Sequence, residues 1–118
     1  DSSVYDYWNH VQYILHVADS LQLYMALLPR WGEYVTPRFW EKPVFDTPKK
    51  GYAYGLFLGK EYSRYKNIIW ILGGDRLPNE WSHGIPTWSA MAEGITDGIA
   101  GEELFDGKAN WESTFMGY

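Results

Sequence analysis

Asn67-Ile68-Ile69-Trp70-Ile71-Leu72-Gly73-Gly74-Asp75-Arg76 decides how this chain folds. Five consecutive apolar residues run into two glycines, and a carboxylate follows at once. An unbroken apolar run of this length reads as a strand buried on both faces, as in parallel sheets. The glycines end the strand and turn the backbone where a side chain would obstruct it. Asp75 is thereby delivered to the C-terminal edge of a rigid strand, where barrel and open α/β enzymes place their chemistry. It is the candidate catalytic acid/base. The plainer alternative is an Asp that caps the next loop or pairs with Arg76.

Outward from this strand, helices and strands alternate. Before it, Val11, Ile14, Leu15, Ala18 and Leu21 put one apolar stripe on a helix from about Trp8 to Leu21. Leu23-Tyr24-Met25-Ala26-Leu27-Leu28 is a second apolar run of strand length, ended by Pro29, which cannot donate to a central ladder. Arg30-Trp31-Gly32-Glu33-Tyr34 is the loop after it, and residues 35–46 form an irregular excursion of a length that is often functional. Thr47-Pro48 is a helix start, with Thr at the N-cap and Pro at the first helical position. That helix is expected to run to about Lys66. Its Gly55 and Gly59 each cost about 1 kcal/mol against Ala, which close packing onto a sheet would offset.

After the strand, Leu77 to Gly84 is a polar loop containing Trp81, and Pro86 starts a third helix with Trp88, Met91, Ala92, Ile95 and Ile99 on one face. Gly98 and Gly101 are expected to close it. Residues 101–112 make a polar connection, and Thr114-Phe115-Met116-Gly117-Tyr118 reads as a third strand cut short. Strands alternating with helices in this way imply βαβ units and a parallel sheet. Three strands cannot close a barrel, which needs about 250 residues. The chain is therefore either part of an eight-stranded barrel or a minimal open α/β sheet.

Composition narrows the function classes. The formal charge of −5 and the scattered basic residues argue against nucleic acid, since no Lys/Arg stripe neutralises phosphates. Without cysteine there is no disulfide, thiol nucleophile or thiolate metal site. His10, His16 and His83 lack ligand spacing, so no metal or other cofactor is expected. No apolar run is long enough to span a membrane. Gly73-Gly74 invites a phosphate-loop reading, but neither glycine-rich fingerprint follows and Asp75 would repel phosphate. The 118 residues start at Asp1 and read as a piece of something longer, so an absent signal peptide decides nothing. Seven Trp and ten Tyr suit a core, an interface or a sugar platform alike. Trp31 lies on a rim loop beside Asp75, as a sugar platform or as packing beneath that loop. Trp81 and Trp40 are weaker platforms, and Trp70 within its strand is core. Arg30 and Glu33 are placed to hydrogen-bond hydroxyls or an acidic sugar, with surface solvation as the default.

Taken together, Leu23-Tyr24-Met25-Ala26-Leu27-Leu28-Pro29-Arg30-Trp31-Gly32, Tyr52-Ala53-Tyr54-Gly55, the Ile68–Arg76 run, Trp88-Ser89-Ala90-Met91-Ala92-Glu93-Gly94-Ile95 and Phe105-Asp106-Gly107 resemble the apiosidase-like glycoside hydrolases. These comprise glycoside hydrolase family 140 and a related domain of unknown function. The resemblance implies a partial (β/α)8 TIM barrel, an α/β fold in which residues 1–118 supply about the third to early fifth strand of one catalytic domain. It maps the family's acid/base to Asp75 and puts the nucleophile beyond residue 118, on the missing remainder of the barrel. Arg76 is then expected to point away from Asp75 or to contact the carbohydrate substrate, with Trp31 and Trp81. The implied substrates are pectin-type, apiose-containing plant glycans, and the implied location is secreted or periplasmic. Two further readings remain: a non-catalytic glycan-binding or scaffold module, and an open α/β domain of unrelated function. In the barrel reading, the isolated chain is expected to be poorly stable or to associate, because its strand edges stay open.

Overall fold

A computed structural model describes residues 5–30, 32–35, 42–73, 77–112 and 114–118. The order is α1 (Tyr7–Ser20), β1 (Met25–Leu27), α2 (Pro48–Glu61), β2 (Ile68–Ile71), α3 (Gly84–Ala100) and β3 (Met116–Gly117), with short 3-10 turns at Gly32–Tyr34 and Pro78–Glu80. The strands form one parallel sheet in the order β1-β2-β3. Leu27 lies beside Trp70, and Trp70 beside Met116. The alternation read from the sequence is therefore the alternation observed.

Local chemistry explains where the helices begin and end. Asp6 accepts from the Asn9 amide at 3.0 Å while the Asn9 side chain accepts from the Asp6 amide, a reciprocal cap for α1. Thr47 caps α2 ahead of Pro48, as expected. This helix stops at Glu61 rather than near Lys66. Ser63 Oγ donates there to Lys60 O, in the last turn, and Lys66 Nζ donates to Ser63 O in the turn that follows. The helix α3 starts at Gly84, so Pro86 falls in the first turn, where no intrahelical partner for its nitrogen is needed. Only Gly101 closes it, in the left-handed conformation at φ 74°.

Gly98 serves a different purpose from the one expected. A Cβ there would meet the Leu56 carbonyl oxygen at 2.6 Å, and one on Gly59 would meet that of Ile95 at 2.2 Å. The glycines of α2 and α3 thus let two helix backbones touch. Close packing does offset their helix cost, but onto a neighbouring helix rather than onto the sheet.

The core lies between helices and sheet. Trp70 is 1% exposed, joined there by Leu15, Leu58, Tyr62, Met91 and Ile95. The strand β2 is not buried on both faces: Ile68 and Trp70 are buried, whereas Ile69 and Ile71 are only partly so. Helices cover one face, and the other carries Ala26, Ile69, Ile71 and Gly117 with no second layer of described elements over it. An apolar run suited to double burial is what a strand needs when its second face is to be enclosed by further strands.

Candidate active site at the C-terminal strand edge

Three strands point the same way, so their C-terminal ends share one edge. On β2 the pleat ends at Gly73, whose φ of 81° lies in the left-handed region that favours glycine. A second constraint acts on it, because a Cβ at Gly73 would fall 2.2 Å from the Tyr118 ring. Tyr118 follows β3, and Leu72 N donates to Gly117 O at 2.7 Å, which brings the two strand ends together. The backbone turn ahead of Gly74-Asp75 is thereby built from both strands.

Asp75, Arg76, Trp31 and Trp40 lie outside the described residues, as does the Glu33 side chain. What the structure describes is their frame. The pairing of β1 with β2 ends at Leu27–Trp70, and Arg30 and Gly73 each follow three residues later on their own segment. Trp81 is half-buried between the Pro78–Glu80 turn and α3, edge-on to His83 with ring centroids 4.9 Å apart. It stands at the same end of the sheet, since α3 begins there. Trp70 is core, as expected.

Behind Gly73 is a cavity of about 170 Å³ lined by Leu72, Pro78, Ile85, Trp88, Trp111 and Tyr118 among others. Trp88 is 3% exposed, and its indole N–H is buried without a hydrogen-bond partner. This aromatic wall was missed from sequence. The signal was available in part: strand alternation puts Tyr118 on the same face as Met116 and Leu72.

After β1, the two ends of the excursion meet at Tyr34. Tyr34 O accepts from the amides of Val44 and Phe45 at 2.8 and 3.0 Å, and Val35 is fully buried beneath. The Tyr54 hydroxyl of α2 donates to Pro29 O at 2.8 Å, and burial pushes its pKa up. The Arg30 guanidinium lies 4.2 Å from the Tyr34 ring centroid.

At the opposite end, the loop after α3 is pinned by two buried carboxylates. Asp97 accepts from Tyr52 OH at 2.8 Å and from the amides of Leu104 and Phe105, and Glu93 accepts from the amide of Gly107. Burial, then the bond to Asp97, raises the Tyr52 pKa far above the tyrosine range. This pole supports the fold. In the polar connection after α3, Glu103 pairs with Lys60 and Asp106 accepts from the Lys108 amide. Among the described residues no three His, Cys, Asp or Glu side chains gather as a metal site, and no helix is long and apolar enough to cross a membrane.

A parallel sheet with helices packed on one face is the architecture of a segment of a (β/α)8 barrel. The family model for the apiosidase-like catalytic domain matches residues 3–113. The chain belongs to that family. Among solved structures, a glycoside hydrolase family 5 protein from Bacteroides vulgatus shares 31% identity at a TM-score of 0.67, over 86% of this chain and 20% of its own. A second, described as a glycoside hydrolase, shares 30% identity at 0.67, over 86% of this chain and 21% of its own. The chain thus spans about a fifth of the length of these structures. No protein of curated function matches it.

Proposed function

We propose that this chain supplies the acid/base half of a glycosidase active site, with Asp75 as the general acid/base and the nucleophile on a strand outside residues 1–118. The observation that carries the reading is the end of β2. Gly73 turns the backbone there against Tyr118, at the strand edge where barrel enzymes keep their chemistry, and Asp75 comes two residues later. Family membership and the glycoside hydrolase neighbours support it. The aromatic cavity beside Gly73 supports the role, because an apolar pocket disfavours the charged carboxylate and keeps an acid protonated near neutral pH. Trp31, Trp81 and Arg76 are the proposed substrate contacts, and pectin-like, apiose-containing glycans the proposed substrates.

Glycoside hydrolysis by this route needs two carboxyl groups, roughly 5–5.5 Å apart for retention and 6.5–9.5 Å for inversion. Residues 1–118 alone are therefore inactive in this reading. The test is Asp75→Asn in the full-length protein. Turnover of unactivated glycosides should fall by about 10²–10⁴-fold, the usual contribution of general acid–base catalysis. Substrates with a leaving group that departs without protonation should lose far less in the glycosylation step. Near-normal turnover of unactivated glycosides by the variant would remove Asp75 from the role.

A second reading, a non-catalytic glycan-binding module, draws on the aromatic cavity behind Gly73. Glycan binding with no hydrolysis in the full-length protein would favour it.

A further inference from the structure

We infer that Tyr118 is a positioning residue for Asp75, bracing the Gly73 turn from the neighbouring strand so that the acid is presented in one orientation. This rests on the acid/base reading above and adds a second residue to it. The contact is direct. A Cβ built on Gly73 would fall 2.2 Å from Tyr118 Cζ and 2.5 Å from both Cε2 and the hydroxyl oxygen. The head of the phenol therefore rests against the Gly73 main chain, where φ is 81° and a side chain would be strained. Asp75 follows two peptide units later. Each unit carries the chain about 3.8 Å, so the Asp75 Cα lies within about 7.6 Å of the Gly73 Cα. A shift of the turn reaches the carboxyl with little chain to absorb it.

Tyr118 is itself held from two directions. Phe115 O accepts from Trp70 N at 2.8 Å and Gly117 O accepts from Leu72 N at 2.7 Å, which fixes β3 against β2 up to the turn. Trp88 of α3 stands edge-on to the Tyr118 ring, with centroids 5.8 Å apart and planes at 86°. Trp88 is 3% exposed, so its ring is locked in the packed interior. Trp88, Tyr118 and Gly73 thus form a line of contacts from α3 across to the end of β2.

General acid catalysis is sensitive to such a brace, because the proton must reach the leaving oxygen within hydrogen-bond distance. A misplacement of about 1 Å costs about 10²-fold in rate. Packing that locks a reacting side chain is what keeps it within that tolerance. Tyr118 acts on Asp75 only through the turn, so its removal weakens proton donation without touching the sugar.

The experiment uses the full-length protein and aryl glycosides of one sugar that it hydrolyses, differing only in the acidity of the phenol released. Weakly acidic phenols need a proton to depart and strongly acidic ones do not. The slope of log kcat/KM against phenol pKa therefore reports proton donation. Tyr118→Ala should steepen that slope, with a loss of about 10–100-fold for the least acidic phenol and little for the most acidic. Tyr118→Phe keeps a ring against Gly73 and should retain the parent slope. The slope is internal to each variant, so a partly unfolded sample lowers every rate alike and leaves it unchanged. Tyr118→Leu removes the ring a second way, with the same steepening expected, should the alanine variant fail to fold. A parallel loss for all phenols in the ring-removal variants would overturn the inference, since a lost sugar contact or a weakened fold gives that pattern. A phenylalanine variant as steep as the alanine one would also overturn it, because the hydroxyl would then be the acting group. Asp75→Asn keeps the two readings apart. A steeper slope there with an unchanged slope in Tyr118→Ala sinks the role of Tyr118 alone, whereas an unchanged slope in Asp75→Asn sinks both. Failure of the parent protein to hydrolyse any aryl glycoside would likewise sink both.

Discussion

A β-carbon built on Gly55 would sit 2.2 Å from the Met91 carbonyl oxygen, so α2 and α3 touch main chain to main chain. Gly94 meets the Tyr52 carbonyl oxygen in the same way at 2.3 Å, which makes the contact reciprocal. Nothing flexible stands in the way that could yield to a methyl group. Gly55→Ala gains about 1 kcal/mol in helix propensity but forces two backbones apart, and overpacking of this kind costs about 1–3 kcal/mol or more. With a backbone atom at 2.2 Å the upper end of that cost applies, and we expect a net loss of about 1–2 kcal/mol in urea denaturation. Gly101→Ala is the control: its β-carbon would meet open space, and only the φ of 74° opposes it, at about 1 kcal/mol. A neutral Gly55→Ala would mean that the helices can separate freely.

Tyr52 and Asp97 form a second rigid contact, and it predicts a pH dependence. Burial and the bond to Asp97 raise the Tyr52 pKa above the usual 10.0, so the folded state holds that proton more tightly than the unfolded chain. A raised pKa contributes stability that is complete below the unfolded value and shrinks as pH climbs beyond it. Stability should therefore fall above about pH 10. Tyr52→Phe should flatten that decline, leaving the share of Tyr54 and Tyr62, whose pKa values burial also raises. At neutral pH the same variant should lose about 1–2 kcal/mol, since Asp97 keeps its bonds from Leu104 and Phe105. Denaturant melts between neutral pH and pH 11 read both effects; a Tyr52→Phe slope unchanged from that of the parent protein would count against the assignment.

The sheet and its order were legible because Ile68–Leu72 and Leu23–Leu28 are apolar runs between strong punctuation, and that punctuation is chemical. Thr47-Pro48 announced α2 because an N-cap hydroxyl and a proline suit only that position. The end of α2 was harder to read, since no glycine or proline marks it and only Ser63 Oγ reaches back to a carbonyl of its last turn, Lys60 O, among the described side chains. Gly98 was misread for a related reason: a glycine near a helix end looks like a cap unless the neighbouring helix is known. The buried pair Glu93 and Asp97 was invisible because a carboxylate satisfied by loop amides has the same letters as a solvated one. At the strand edge, Gly73 was legible as the end of β2, whereas Tyr118 over Gly73 depends on a contact between segments distant in sequence.

Asn67 ties two connections to the start of β2. Its Nδ2 donates to Leu15 O at 3.2 Å and to Leu23 O at 3.1 Å, closing α1 and the approach to β1 over a side chain that is 6% exposed. Asn67→Ala leaves both carbonyls without this donor, at a cost of about 2 kcal/mol in urea denaturation. Part of that loss is recovered because the Oδ1 atom is buried without a partner and disappears with the amide. Asn67→Asp removes the donors and adds a charge in the same place, so it should be the more damaging of the two. Equal stabilities for the two variants would show that solvent reaches the site.

Trp81 offers a kinetic distinction between holding a sugar and reacting with it. The ring is half-buried and braced by His83, in the segment between β2 and α3. A stacking platform contributes to the bound substrate and to the transition state alike, and uniform binding of that kind appears in KM rather than in kcat. Trp81→Ala in the full-length protein should therefore raise KM by about tenfold, the equivalent of one lost aromatic contact, with kcat nearly unchanged. Asp75→Asn should do the reverse and lower kcat on unactivated glycosides. If Trp81→Ala instead reduces kcat and leaves KM alone, the ring is supporting the loop that carries Asp75 rather than the sugar. His83→Ala separates the cases further: removal of the brace should reproduce a weaker version of the Trp81→Ala effect in KM.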